Sequence, residues 1–334
     1  MIVKHEIDSV HLRGNLLGDP SVRDVYVYLP AGYEGSERRY AVAYLLLGYA
    51  LQPVDMVEGS DWDLDGAGPM HPLADILDLV FLRNPAAEMI VAVVDGYTRY
   101  GGSQYVDSPV NGNFEQFAIE VVEYVDAQFR TIPHRDSRAL FGYSSGGIGS
   151  WHLGSRHPDL FGAIAMLSSD SYFELSVRSL LYKYYDSLYP DGRDPGGVAP
   201  AGASESSMLS RLAYGYAASY SPNPGAPPDY VDFPVAFPSG RLIGDVWEKW
   251  LSYDPVVVWP KSADALRSMR GILLSAGRRD DWYFHWGHRL LHEAWTDAGI
   301  NHDFQEHRGT HESRFYEAHA EAVEWLAQVL VLND

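Results

Sequence analysis

The chain has 334 residues, 46% of them hydrophobic, enough to bury a large core in one or two domains. Twenty-five basic against 45 acidic residues leave a net charge of −20, which repels a polyanion and argues against a nucleic-acid partner. There is no cysteine, so disulfides, thiolate nucleophiles and thiolate metal sites are excluded together.

The N-terminus, "MIVKHEIDSVHLRG", alternates apolar and polar residues and lacks the apolar run of a signal peptide. No stretch approaches the ~20 apolar residues of a membrane span. A soluble, cytoplasmic protein with no membrane partner is expected. Strands follow from period-two alternation at 5–12 and 22–30, and from nearly unbroken apolar runs at 40–48 and 88–96, the signature of strands covered on both faces. Helical spacing appears at 72–82 and 113–129, the latter with Phe117, Val121, Tyr124, Val125 and Phe129 on one side. Then come a strand at 138–144, a helix from Ser145 to about His157 and a strand at 162–169. Residues 171–262 break the rhythm. They are rich in Pro, Gly and Ser yet carry Tyr182, Tyr214, Tyr216, Tyr220, Trp247 and Trp250, too aromatic for a disordered linker. We read them as an inserted cap on a domain made of 1–170 and 263–334. The rhythm resumes with strand 271–277, helix 283–298, strand 302–307 and helix 313–331. This order implies an α/β fold with a mostly parallel sheet and helices on both faces.

Gly142-Tyr143-Ser144-Ser145-Gly146 fits G-x-S-x-G, centred on Ser144, at the junction of a buried strand and a helix. A sharp strand-to-helix turn exposes a nucleophile above the sheet, and small flanking residues let the turn close. The next amide, that of Ser145, then sits at a helix N-terminus, where it can stabilise an oxyanion. A serine needs a base, and the base an orienting acid, here expected in the order Ser, acid, His. "GILLSAGRRDDWY" offers Asp280 and Asp281. "HDFQEHRGTHESRF" offers His307 on or near a strand and His311 in the loop after it, so His311 is the choice.

With "AVAYLLLGY", "NFEQFAIEVVEYVDAQFRT", "GYSSGGIGSWHLGSRHPDLFGAIAMLSS" and "GRRDDWYFHWGHRLLHEAWTDAGINHDFQEHRGTHES", these motifs make the chain resemble the esterase D-like branch of the α/β-hydrolases. That branch includes S-formylglutathione hydrolases, feruloyl esterases, siderophore esterases and mycolyltransferases. The resemblance implies an α/β-hydrolase fold and a serine carboxylesterase acting through an acyl-enzyme, without cofactor or metal. Counting three residues past the strand-ending Gly277, it favours Asp280 over Asp281. It also points to the backbone N–H of Tyr49, after Leu46-Leu47-Gly48, as a second oxyanion donor. The implied partner is a small ester, with aromatic acids favoured. An acyltransferase using the same residues is the alternative, and a homo-oligomer is left open. S-formylglutathione hydrolysis is disfavoured by the large cap and the lack of a basic cluster for glutathione carboxylates.

Two metal-like patterns are set aside. Asp61-Trp-Asp63-Leu-Asp65-Gly66 opens like a calcium loop, but its twelfth position is Pro72 rather than Glu. His285, His288 and His292 share a helix face without an accompanying carboxylate motif.

Overall fold

Successive residues of the central strands feed opposite faces of one sheet, and this alternation builds the molecule. The computed structural model describes residues 1–60, 70–183, 205–236 and 239–332, with the backbone alone at 205–210. Eight strands, β1 (Ile2–Asp8), β2 (Val22–Tyr28), β3 (Val42–Leu46), β4 (Ile90–Val94), β5 (Arg138–Tyr143), β6 (Ala163–Leu167), β7 (Gly271–Gly277) and β8 (Asp303–His307), lie in the order β1-β2-β4-β3-β5-β6-β7-β8. β1–β2 and β2–β4 are antiparallel, and every pair from β4 to β8 is parallel. This is the α/β-hydrolase arrangement that the motifs implied.

All five residues of β3 are buried. Val42, Tyr44 and Leu46 enter a core shared with helices Phe114–Gln128, Ser145–Arg156 and Phe284–Asp297. Ala43 and Leu45 enter the opposite core with helices Leu73–Arg83 and Phe315–Val329. A strand covered on both sides must read as unbroken apolar sequence, which is why "VAYLL" carries no alternation. Each leucine so buried contributes about 2 kcal/mol through removal of apolar surface from water.

Two expectations shift. β1 covers Ile2–Asp8 rather than 5–12, because its antiparallel partner offers only the register Ile2↔Tyr28 to Asp8↔Val22. The chain then turns: the Ser9 hydroxyl donates to Glu120 at 2.5 Å and accepts from the His11 N–H at 3.2 Å. The segment between β6 and β7 is also more regular than its punctuation suggests, with helices at Ser176–Lys183, Glu205–Tyr220, Gly244–Leu251, Pro255–Val258 and Ala263–Ser268. Tyr216, Tyr220, Trp247 and Trp250 are buried among them. The Asp61–Gly66 loop lies outside the described residues. Among the described residues, no helix is long and apolar enough to cross a membrane.

Candidate active site

The carboxyl ends of β3, β5, β7 and β8 share one edge of the sheet, where open α/β sheets bind ligands. β5 delivers Ser144, at φ 55° and ψ −121°, directly onto the helix that starts at Ser145. A non-glycine residue there is strained and stays only because its surroundings dictate it. The flanking glycines show how. A Cβ on Gly142 would lie 2.5 Å from the Gly146 carbonyl and from Leu46 O, and one on Gly146 would lie 1.9 Å from Leu46 O. The turn is thus wedged against the end of β3. The Ser144 N–H also donates to Leu167 O of β6 at 2.8 Å. Ser144 emerges half-buried in a cleft.

His311 lines the same cleft. Its Nδ1–H donates to Asp280 Oδ2 at 2.8 Å, leaving Nε2 as the basic nitrogen. The neighbouring Asp281 has a different contact, accepting the His311 backbone N–H at 3.1 Å. The two aspartates that sequence left side by side therefore separate, one on the ring and one on the main chain. Their loops interlock: a Cβ at Gly277 would lie 2.5 Å from Gly309 O and Thr310 O, and the Arg279 N–H donates to Gly309 O at 3.0 Å. The Tyr143 hydroxyl donates to His311 O, and Trp282 and Phe284 pack on the imidazole. His307 ends β8 and accepts the Gly309 N–H at 3.1 Å.

Burial alone would push the His311 pKa down, but the charge of Asp280 and its hydrogen bond outweigh this and raise it. Burial would likewise push Asp280 up, and the His311 charge and hydrogen bond, with the Trp282 N–H at 2.9 Å, hold it below the ordinary carboxylate range. The pair is therefore arranged to favour an imidazolium beside a carboxylate, the state a general base passes through.

Gly48, Tyr49 and Ser145 border the same cleft. Ser145 occupies the first helical turn, whose N–H groups have no intrahelical acceptor, and its hydroxyl accepts from Gln104 Nε2 at 3.1 Å. The remaining wall is largely apolar: Leu51, Leu212, Tyr216, Trp282 and Phe315, with Glu312 at the rim.

Sequence reasoning missed Asp170 and its partner. Asp170 follows β6 and is wholly buried. The Tyr216 hydroxyl donates to its Oδ2 at 2.7 Å, and burial pushes its pKa up to about 6. It also missed Glu115, a buried carboxylate that accepts from His152, Arg156 and His157 at 2.8–2.9 Å. The three histidines of the Phe284–Asp297 helix do not converge. His288 Nε2 accepts the Ser169 N–H at 3.2 Å, while His292 turns to His302 at 2.8 Å. Among the described residues, no three metal-ligating side chains converge on a point.

The sequence matches the family described as "Putative esterase" over residues 20–329. The chain belongs to this esterase family. Among curated relatives, the chain is 26% identical over 178 residues to an endo-1,4-beta-xylanase/feruloyl esterase of Xylanibacter ruminicola, covering 52% of this chain and 23% of that one. It is 29% identical over 155 residues to an esterase of Mycobacterium tuberculosis, covering 44% of this chain and 28% of that one. The matches thus span about a quarter of each relative's length. Solved structures with the same fold include a ferulic acid esterase (TM-score 0.62, 20% identity, 99% and 98% of the two chains). An S-formylglutathione hydrolase from Agrobacterium tumefaciens shares it too (TM-score 0.58, 16% identity, 99% and 96%).

Proposed function

We propose that this esterase works through a Ser144–His311–Asp280 triad and a covalent acyl-enzyme. His311 Nε2 takes the Ser144 proton as the hydroxyl oxygen attacks the ester carbonyl. Asp280 orients the imidazole and stabilises its charge. The amides of Tyr49 and Ser145 receive the oxyanion. Collapse of the tetrahedral intermediate expels the alcohol, which takes its proton from His311. Water, activated by the same imidazole, then attacks the acyl-enzyme and releases the acid. In this reading residues 171–262 are an inserted cap, whose Leu212 and Tyr216 line the cleft. The single observation that carries the proposal is the strained Ser144 turn opening into the cleft lined by His311, whose ring is hydrogen-bonded to the buried Asp280.

The aromatic and leucine wall favours an apolar, planar acyl group, in keeping with the feruloyl esterase relative and the ferulic acid esterase fold neighbour. The test is hydrolysis of p-nitrophenyl esters of graded chain length and of methyl ferulate by wild type and Ser144→Ala. Activity in the wild type and its loss in Ser144→Ala supports the triad. Equal activity in both sinks it. Adding an alcohol acceptor and scoring the transferred ester against free acid separates hydrolysis from acyl transfer.

A further inference from the structure

The loop after β4 touches both sides of the place where an oxyanion would form. It carries two successive non-glycine residues in the left-handed region, Gln104 at φ 53° and Tyr105 at φ 55°. Such backbone is strained and persists only where its surroundings dictate it. Both residues are buried. The Tyr105 ring is threaded between two glycines: a Cβ at Gly96 would lie 2.6 Å from it, and one at Gly149, in the helix Ser145–Arg156, 2.4 Å. At the tip of the ring the hydroxyl donates to Leu47 O at 3.1 Å and to Val94 O at 3.4 Å. Three residues after Leu47, the Ala50 N–H donates to Gly101 O at 2.8 Å. Gly48 and Tyr49 are thus bracketed by two contacts to this one loop. Gln104 reaches the other way, and its Nε2 donates to the Ser145 hydroxyl at 3.1 Å. The loop is itself tied down: the Ser103 N–H donates to Gly96 O at 3.0 Å, and the Ser219 hydroxyl donates to Ser103 O at 3.0 Å.

Oxyanion donors work only if their N–H groups are aimed in advance, without reorganisation during the reaction. The two assigned here come from separate parts of the chain. One follows β3, where Gly48 gives the backbone more freedom than any other residue would. The other opens a helix. A buried segment bonded to both sides fixes the distance between them, and the side chains of Gln104 and Tyr105 diverge to do so.

We propose that Gln104 and Tyr105 are positioning residues that set the spacing of the oxyanion hole, Tyr105 through Leu47 O and Gln104 through the Ser145 hydroxyl. The inference rests on the reading of the Tyr49 and Ser145 amides as oxyanion donors. Cutting either brace weakens binding of the tetrahedral state and leaves ground-state binding nearly intact. Loss of a whole donor costs ~10²–10³ in rate, so misaiming one should cost about tenfold.

The experiment compares wild type with Tyr105→Phe, Gln104→Met, Ser145→Ala and the Gln104→Met/Ser145→Ala double variant. It reads kcat and KM on a p-nitrophenyl ester, with sites counted by fluorophosphonate titration. It also reads the inhibition constant of phenylboronic acid, which forms a tetrahedral adduct on the serine. Tyr105→Phe keeps the ring and its packing and deletes only the hydroxyl. Tyr105→Phe and Gln104→Met should each lower kcat and boronate affinity about tenfold, with KM within about twofold. Ser145→Ala should match Gln104→Met, and the double variant should lose no more than either, because both delete the same bond. A merely structural role would lower the melting temperature and the titrated fraction but leave kcat per site and boronate affinity at wild-type values. That result in Tyr105→Phe or in Gln104→Met overturns the assignment of that residue. Losses that multiply in the double variant overturn the Gln104–Ser145 brace. Failure of the underlying reading looks different: wild type itself hydrolyses no ester, binds no boronate and leaves Ser144 unlabelled by the fluorophosphonate.

Discussion

Replacing Asp170 with Asn should stabilise the protein above neutral pH, and the shape of that gain with pH is diagnostic. Asp170 is wholly buried, with Oδ2 on the Tyr216 hydroxyl and Oδ1 without a partner. The ionisable groups facing it are Tyr216 and Tyr220 from the inserted helix, and His311 and Asp280 from the loops after β8 and β7. Burial, the largest influence, lifts its pKa from 3.8 to about 6. A carboxyl whose folded pKa exceeds its unfolded one binds its proton more tightly when folded. Its contribution is therefore favourable at low pH and is lost as pH rises from about 4 to about 6. At 1.36 kcal/mol per pH unit the full cost is about 3 kcal/mol.

Asn keeps the shape and can still accept from Tyr216, but it does not ionise. The stability gap between Asp170→Asn and wild type should therefore widen by about 2 kcal/mol between pH 4 and pH 8, and be flat above pH 7. With an unfolding entropy of ~2.1 cal/mol/K per residue, 334 residues give about 0.7 kcal/mol/K, so the melting midpoints should separate by about 3 °C across that range. Melting both proteins by circular dichroism from pH 4 to pH 8 measures this. A gap that does not change with pH would refute the reasoning, because it would mean that ionising Asp170 costs the fold nothing.

The raised His311 pKa predicts that kcat/KM climbs with pH through an inflection above 6.5, since only the neutral imidazole can accept the serine proton. Asp280→Asn removes the charge that raises it and leaves the opposing effect of burial. The inflection should move to lower pH while kcat falls by ~10⁴, both read from one pH–rate series. Gly146→Ala places a methyl where only 1.9 Å separates it from Leu46 O, so it should abolish activity and lower the melting temperature. Restored activity at wild-type stability would contradict the wedge. Glu115→Gln should destabilise by about 2 kcal/mol, below the usual range for breaking a buried ion pair because Arg156 is largely exposed. Burial acts to raise the Glu115 pKa, but His152, His157 and Arg156 hold it well below the ordinary range, so wild type gains this stability above about pH 4.5 and loses it on acidification. The variant should show no such loss in urea titrations at pH 7 and pH 4.

What could be read from the chain, and what could not, follows from how locally each feature is specified. Ser144 was legible because a nucleophilic turn needs small neighbours at fixed offsets, and Gly142 and Gly146 stand within two residues of it. His311 was legible by its place after the last strand. The residues alone did not separate Asp280 from Asp281, because neighbours in sequence share a pattern, and only the family resemblance favoured Asp280. What separates them is a turn, the Asp280 N–H donating to Gly277 O at 3.0 Å, which sends one side chain to the imidazole and the other to the His311 backbone. The inserted helix escaped detection for the opposite reason. A helix shows a 3.6-residue stripe only if one face meets water. From Leu212 to Tyr220 every residue of this one is buried, with Leu212 and Tyr216 on the cleft, Gly215 against Tyr49 and Ser219 against Ser103. Its sequence therefore reads as scattered Ala, Gly, Ser and Tyr. Asp170 and Tyr216 lie 46 residues apart, and neither has a neighbour in sequence that betrays the other. The same burial that hides the helix makes it consequential. From Leu212 to Tyr220 the helix is packed between the Ser144 cleft, the Tyr49 ring and the buried Asp170, so a substitution there shifts all three together.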